Sequence, residues 1–121
     1  MKLKNVLIIV KDLKKSIDFY KELFGLEVIL EQEGNVILTE GLVLQELSMW
    51  EQAIEKKAIA YNHAAELYFE EKEMEQFMGK LQNYHEPIEY VTDYMEYPWG
   101  QKVVRFYDLD GNLIEVRTPM L

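Results

Sequence analysis

One order of elements, β then α then three β, occurs twice along this chain, and that repetition constrains the fold more than any single residue does. In the first copy Val6, Ile8 and Val10 alternate with Leu7 and Ile9, the pattern of a strand covered on both faces. Asp12 then stands where a helix N-cap belongs, and Ile17, Phe19, Tyr20, Leu23 and Phe24 recur at helical spacing until Gly25 ends the run. Three tightly joined strands follow: Leu26 to Leu30, Val36 to Leu38 after a Glu33-Gly34-Asn35 turn, and Leu42 to Leu47.

The second copy begins after Met49 to Asn62, a stretch that mixes Trp50, Ala53, Ile54, Ala58 and Ile59 with charges and reads as a linker holding at most a short helix. A strand is expected over Glu66 to Glu70, and a helix through Met74, Phe77, Met78 and Leu81. A strand at Ile88 to Val91 comes after Pro87. A loop with Tyr97-Pro98-Trp99-Gly100, a strand from Lys102 to Tyr107, a turn at Asp108 to Asn112 and a last strand from Leu113 to Arg117 complete the order. A shift of 61 residues lays Val6 on Leu67, Ile8 on Phe69, Asp12 on Glu73 and Tyr20 on Leu81. A βαβββ unit covers one face of its sheet with its helix and leaves the other for a partner unit, so a cleft between the units is expected. The fold class is therefore α+β, one domain over 1–121, with a module at about 1–48, a linker at 49–62 and a module at about 63–121.

Composition narrows the functional classes. With 121 residues, about half of them apolar, the chain suits one core, and no run approaches the ~18 apolar residues of a transmembrane helix. A cytoplasmic protein is the expectation. The absence of cysteine removes disulfides, thiolate metal sites and thiol nucleophiles. A net charge of −9 argues against nucleic acid and anionic membrane, whose recognition rests on Lys and Arg. No Gly-rich phosphate loop, Ser/His/Asp set or zinc spacing is present.

Val10-Lys11-Asp12-Leu13-Lys14-Lys15-Ser16-Ile17-Asp18-Phe19-Tyr20 through Gly25-Leu26, with Pro98-Trp99-Gly100 and Phe106-Tyr107-Asp108-Leu109-Asp110-Gly111-Asn112-Leu113-Ile114-Glu115, resembles the two signatures of the glyoxalase, bleomycin-resistance and extradiol-dioxygenase superfamily, the vicinal oxygen chelate proteins. Leu109 stands where a proline is usual. The resemblance implies two βαβββ modules forming a curved mixed sheet around a cleft, and commonly a homodimer. It also implies four cleft positions that hold a divalent metal in the metal-using members. Carried over by motif these are Asn5, Gln45, Glu66 and Glu115. The two histidines of the usual set are missing, so any bound ion is expected to be hard and weakly held.

Without a metal, Glu66 and Glu115 are the candidate general acid or base, or simply hydrogen-bond a ligand. His63 and His85 are expected to be structural, His63 on grounds of strand alternation. Tyr68, Tyr107, Trp50 and Trp99 are the candidate ligand-contacting aromatics, and Arg105 either grips an anionic group or pairs with Glu115. Two functions follow from the resemblance: sequestration of a small molecule without turnover, or a metal-dependent lyase, isomerase or transferase of the glyoxalase kind. The acidic balance points to a partly aromatic ligand, neutral or cationic, with an anionic one favoured if Arg105 turns inward.

Overall fold

A computed structural model describes residues 1–120 and divides the chain into two compact units, the first Met1–Ala60 and the second from Tyr61 onward. Among the described residues no helix is long and apolar enough to cross a membrane.

In the first unit β1 (Val6–Val10) leads into α1 (Leu13–Phe24), followed by β2 (Val28–Gln32), β3 (Asn35–Leu38), a 3₁₀ turn (Thr39–Gly41) and β4 (Leu42–Glu46). The helix starts and stops where local chemistry dictates. Asp12 accepts a hydrogen bond from the Lys15 N–H at 3.1 Å, and Gly25 takes the left-handed conformation (φ 68°) that closes the last turn with bonds to the Lys21 and Tyr20 carbonyls. Four strands make one sheet in the order β1-β4-β3-β2, with β1 parallel to β4 and the other pairs antiparallel. Its core holds Val10, Phe19, Tyr20, Leu38 and Leu44, each at most 1% exposed.

A second helix, α2 (Leu47–Ile54), continues directly from β4, where the sequence suggested a linker with at most a short helix. Glu46 causes it. Its carboxylate accepts from the Ser48 and Met49 N–H groups at 2.9 and 3.0 Å and from the Ser48 hydroxyl at 2.6 Å, so the strand ends where the cap begins. These bonds, the Ser48 hydroxyl first, lower the Glu46 pKa from its ordinary value. Met49 lies across the β2–β3 turn, where a Cβ on Gly34 would meet its sulfur at 2.1 Å.

The second unit repeats the plan. β5 (Leu67–Glu70), α3 (Met74–Asn83), β6 (Tyr90–Glu96), β7 (Lys102–Tyr107) and β8 (Leu113–Arg117) form a sheet in the order β5-β8-β7-β6, again with the outer pair β5 and β8 parallel. Phe77 on α3 meets Phe106 on β7 with ring centroids 6.1 Å apart, and Val104, Phe106, Ile114 and Val116 are at most 1% exposed on that side. β6 runs five residues past the Val91 end expected from sequence, carried through by two shifts of register against β7. The Asp108-Leu109-Asp110-Gly111-Asn112 signature is a turn built on one buried carboxylate. Asp108 accepts from the Asp110 and Asn112 N–H groups and from the Asn112 side chain, all at 2.9 Å.

Candidate functional site

Strand alternation sorts the second sheet into a face packed on α3 and the opposite face. Tyr68, Glu115, Arg105 and Thr92 stand on one rung of that opposite face, since Tyr68 pairs with Glu115, Glu115 with Arg105 and Arg105 with Thr92. The neighbouring rung carries Glu70, Arg117 and Val103.

Glu115 is 5% exposed, and both its oxygens are engaged. Oε1 accepts from Arg105 Nε and Oε2 from Arg117 Nε, each at 2.6 Å, so one carboxylate is gripped by two guanidiniums. Arg105 also donates to the Thr92 hydroxyl and, through Nη2, to the Tyr97 hydroxyl, each at 3.4 Å. Arg117 donates to Gln101 Oε1 at 3.3 Å, and its guanidinium carbon lies 5.1 Å from the centre of the Tyr97 ring. Tyr97 in turn stacks on Trp99, with centroids 4.5 Å apart and planes within 6°. The hydrogen bond from Arg105 lowers the Tyr97 pKa from its ordinary phenol value, against a smaller opposing effect of burial.

The residues singled out from sequence are distributed unevenly. Glu115 and Arg105 are bonded, and Tyr68 is level with them and half exposed. Tyr107 is two residues along β7 from Arg105 and takes a 2.5 Å hydrogen bond with His63 Nε2. His63 precedes the strand in a left-handed conformation (φ 57°), so the alternation expected to turn it away does not govern it. Trp99 is 60% exposed in the β6–β7 turn and donates its indole N–H to Gln101 at 3.1 Å. Glu66 is exposed, one residue before β5. Trp50 is half-buried on α2 of the first unit.

Three participants were missed: Arg117, Gln101 and Tyr97. Arg117 had a signal, because it lies two residues from Glu115 and so on the same face. Gln101 and Tyr97 had none, since both lie outside the regular alternation of β7 and β8.

Of the four positions mapped to metal ligands, the two in the first unit lie apart along its sheet. In the first unit Gln45 is level with Ile9, whereas Asn5 lies level with Gly41, four residues or about 13 Å back along the strand. Gln45 Oε1 also accepts from the Asn35 amide at 2.8 Å. Matched through the first strand of each unit, the counterpart of Glu115 is Val43, and Gln45 corresponds to Arg117. Counting back from Trp50 and matching through the first strands give positions two residues apart, which alternation cannot tell apart because both lie on one face. Val43 is 2% exposed and offers no donor. Glu115, whose oxygens would face a cation, is already bonded to two cationic groups, which would repel it.

Known proteins share this architecture. A protein of unknown function from Agrobacterium tumefaciens str. C58 superposes with a TM-score of 0.81 at 26% identity, covering 99% of this chain and 95% of that one. Lactoylglutathione lyase from Agrobacterium tumefaciens matches at 0.72 and 24% identity, over 97% and 92%. The fosfomycin resistance protein FosX from Listeria monocytogenes matches at 0.71 and 17%, over 99% and 92%. No curated protein matches the sequence. Residues 3–121 match the glyoxalase-like domain family, and with the doubled βαβββ plan the chain belongs to that family.

Proposed function

We propose that the protein binds a small molecule on the face of its second sheet opposite α3 and acts by holding it, without a metal-polarised step. The observation that carries this reading is the engagement of both Glu115 oxygens by Arg105 and Arg117, which uses a lone pair on each oxygen and sets two positive charges where a cation would have to approach. Sequestration asks only for shape, ring faces and hydrogen bonds. Tyr68, Trp99, Arg105 and Tyr107 are the contacting groups in this reading, with Glu66 beside them on the same face; Trp50 stands on α2 of the first unit. The family's metal-dependent alternative, a lyase, isomerase or transferase using Asn5, Gln45, Glu66 and Glu115, makes opposite demands on the same residues.

Thermal shift with Mg²⁺, Mn²⁺ and Zn²⁺, followed by a ligand screen with product analysis, separates the two. Stoichiometric ligand binding with unchanged ligand recovered, and no stabilisation by any of the ions, is the expected result. A saturable metal-induced rise in melting temperature that Glu115→Gln abolishes would replace binding with metal catalysis. The same reading takes the protein as a cytoplasmic homodimer. Val28, Ile29 and Leu30 on the edge strand β2 are all exposed and supply apolar surface for a second copy. Light scattering that gives the monomer mass at tens of micromolar would remove the dimer.

A further inference from the structure

The acidic composition points to a neutral or cationic ligand, yet the buried charge on the face of the second sheet opposite α3 has the other sign. Two guanidiniums share one carboxylate there, and both arginines are about four-fifths buried, where a charge is screened less than on the surface. Glu66 and Glu70 lie along β5 on the same face, but both are exposed to water and form no ion pair with either arginine among the described residues. Arg117 spends Nε on Glu115 and Nη1 on Gln101, and its Nη2 has no partner among the described residues. A guanidinium with an open edge offers donors fitted to a carboxylate.

The aromatic half of the arrangement is fixed by the same side chains. Gln101 Oε1 accepts from both Trp99 Nε1 and Arg117 Nη1, at 3.1 and 3.3 Å, so indole and guanidinium are tied to one oxygen. Gln101 itself is 6% exposed and is held through its own amide by the Thr118 carbonyl at 2.9 Å, which makes the tie rigid. Trp99 stacks on Tyr97 and is still 60% exposed, which leaves ring surface to the solvent. Through the shared Gln101 oxygen the Trp99 indole and the Arg117 guanidinium adjoin one another.

We propose that Arg105, Arg117 and Trp99 form a binding site for a flat aromatic or conjugated carboxylate, with Gln101 and Tyr97 positioning them. The proposal rests on the reading of the chain as a small-molecule binder and gives that reading a ligand class. Glu115 serves in it as a holder of the two arginines rather than as a contact.

Cinnamate, cinnamamide and cinnamylammonium are matched in shape and differ in charge, and calorimetric titration of the intact protein with each tests the idea. Cinnamate is expected to bind at least about tenfold more tightly than the amide, the size of one charge-assisted hydrogen bond. Arg117→Gln is expected to remove that advantage and leave the amide unchanged, and Arg117→Lys to remove most of it because the planar fork is lost. Glu115→Gln, which takes away the negative member, is expected to keep or strengthen cinnamate binding. In a Trp50→Phe background Trp99 is the only tryptophan, and its quenching must follow the calorimetric isotherm. Should Arg117→Gln fail to fold, salt decides on the native protein: cinnamate affinity must fall with ionic strength while amide affinity does not.

Tighter binding of the ammonium, or cinnamate affinity untouched by salt and by a folded Arg117→Gln, overturns the ligand class and leaves the binding reading in place. No binding by any of the three at millimolar concentration, with quenching absent as well, overturns both.

Discussion

The two units share a plan and differ in what they place on it. Each has a parallel outer pair and a hydrogen-bonded polar pair between its inner strands on the face away from its first helix. In the first unit that pair is Asn35 with Gln45, amide to amide at 2.8 Å; in the second it is Arg105 with Glu115, ion to ion at 2.6 Å. They occupy different rungs. The second unit's ionic rung corresponds to Ile37 and Val43 in the first, both apolar, and the first unit's amide rung corresponds to Val103 and Arg117. What separates a packing surface from a charged site is therefore a handful of side chains on one backbone geometry, and fold alone does not determine which unit carries function.

The sharpest way to break that comparison is to write the second unit's residue into the first. Val43→Glu would bury a carboxylate opposite Ile37 with no donor, and should cost about 3–5 kcal/mol by urea denaturation or prevent folding. Adding Ile37→Arg should recover part of the loss. If Val43→Glu alone proves harmless, the first unit's face is wetter than its 2% exposure says.

The converse change is smaller. Glu115→Leu strands two guanidiniums that retain access to water, so a loss of about 2–3 kcal/mol is expected, below the figure for a fully buried pair. Gln45→Leu, which removes a neutral bond in the first unit, should cost roughly 1 kcal/mol. Equal losses at the two positions would mean that the charges add nothing beyond a hydrogen bond.

The smallest expected effect concerns alkaline pH, and it belongs to the second unit, which holds seven of the chain's eight tyrosines. Burial first, and then its 2.8 Å hydrogen bond to Glu75, push the Tyr94 phenol up to about 12. A group whose folded value lies above its unfolded value of 10 stabilises fully below pH 10 and loses that contribution as pH climbs through about 12. Tyr94→Phe should flatten the decline of the urea midpoint across that interval and, by removing the bond to Glu75, lower the midpoint modestly at pH 7. A decline of the same steepness in the variant would assign it to other tyrosines.

Sequence reasoning went furthest where one residue has one local job. Asp12 and Gly25 bracket α1 because a cap and a left-handed residue are needed at those points and few side chains supply them. α2 was concealed by its own cap: Glu46 extends the apparent strand Leu42 to Leu47, and only its bonds to Ser48 and Met49 show where the helix takes over. β6 stretches over Thr92 to Glu96, but its register breaks spoil the alternation by which a strand is recognised. In the site, alternation led to Arg105 and Glu115 together. Among the metal positions carried over by resemblance, Gln45 was placed by its distance from Trp50, whereas pairing with the first strand gives Val43 the place that Glu115 holds in the second unit.

Those same register breaks in β6 have a bearing on how the molecule behaves in a crowded solution. β6 is the outer strand of its sheet and seven residues long, with Tyr90, Val91 and Met95 exposed, a composition that invites a stray chain to add on and extend the ladder. Two irregularities between Tyr90 and Met95 keep its outward N–H and C=O groups from forming an even row, so an incoming strand cannot pair along its full length. Asp93 and Glu96 add like charge against a second copy of an already acidic chain. The uneven edge lets the protein carry an apolar outer strand without templating its own aggregation.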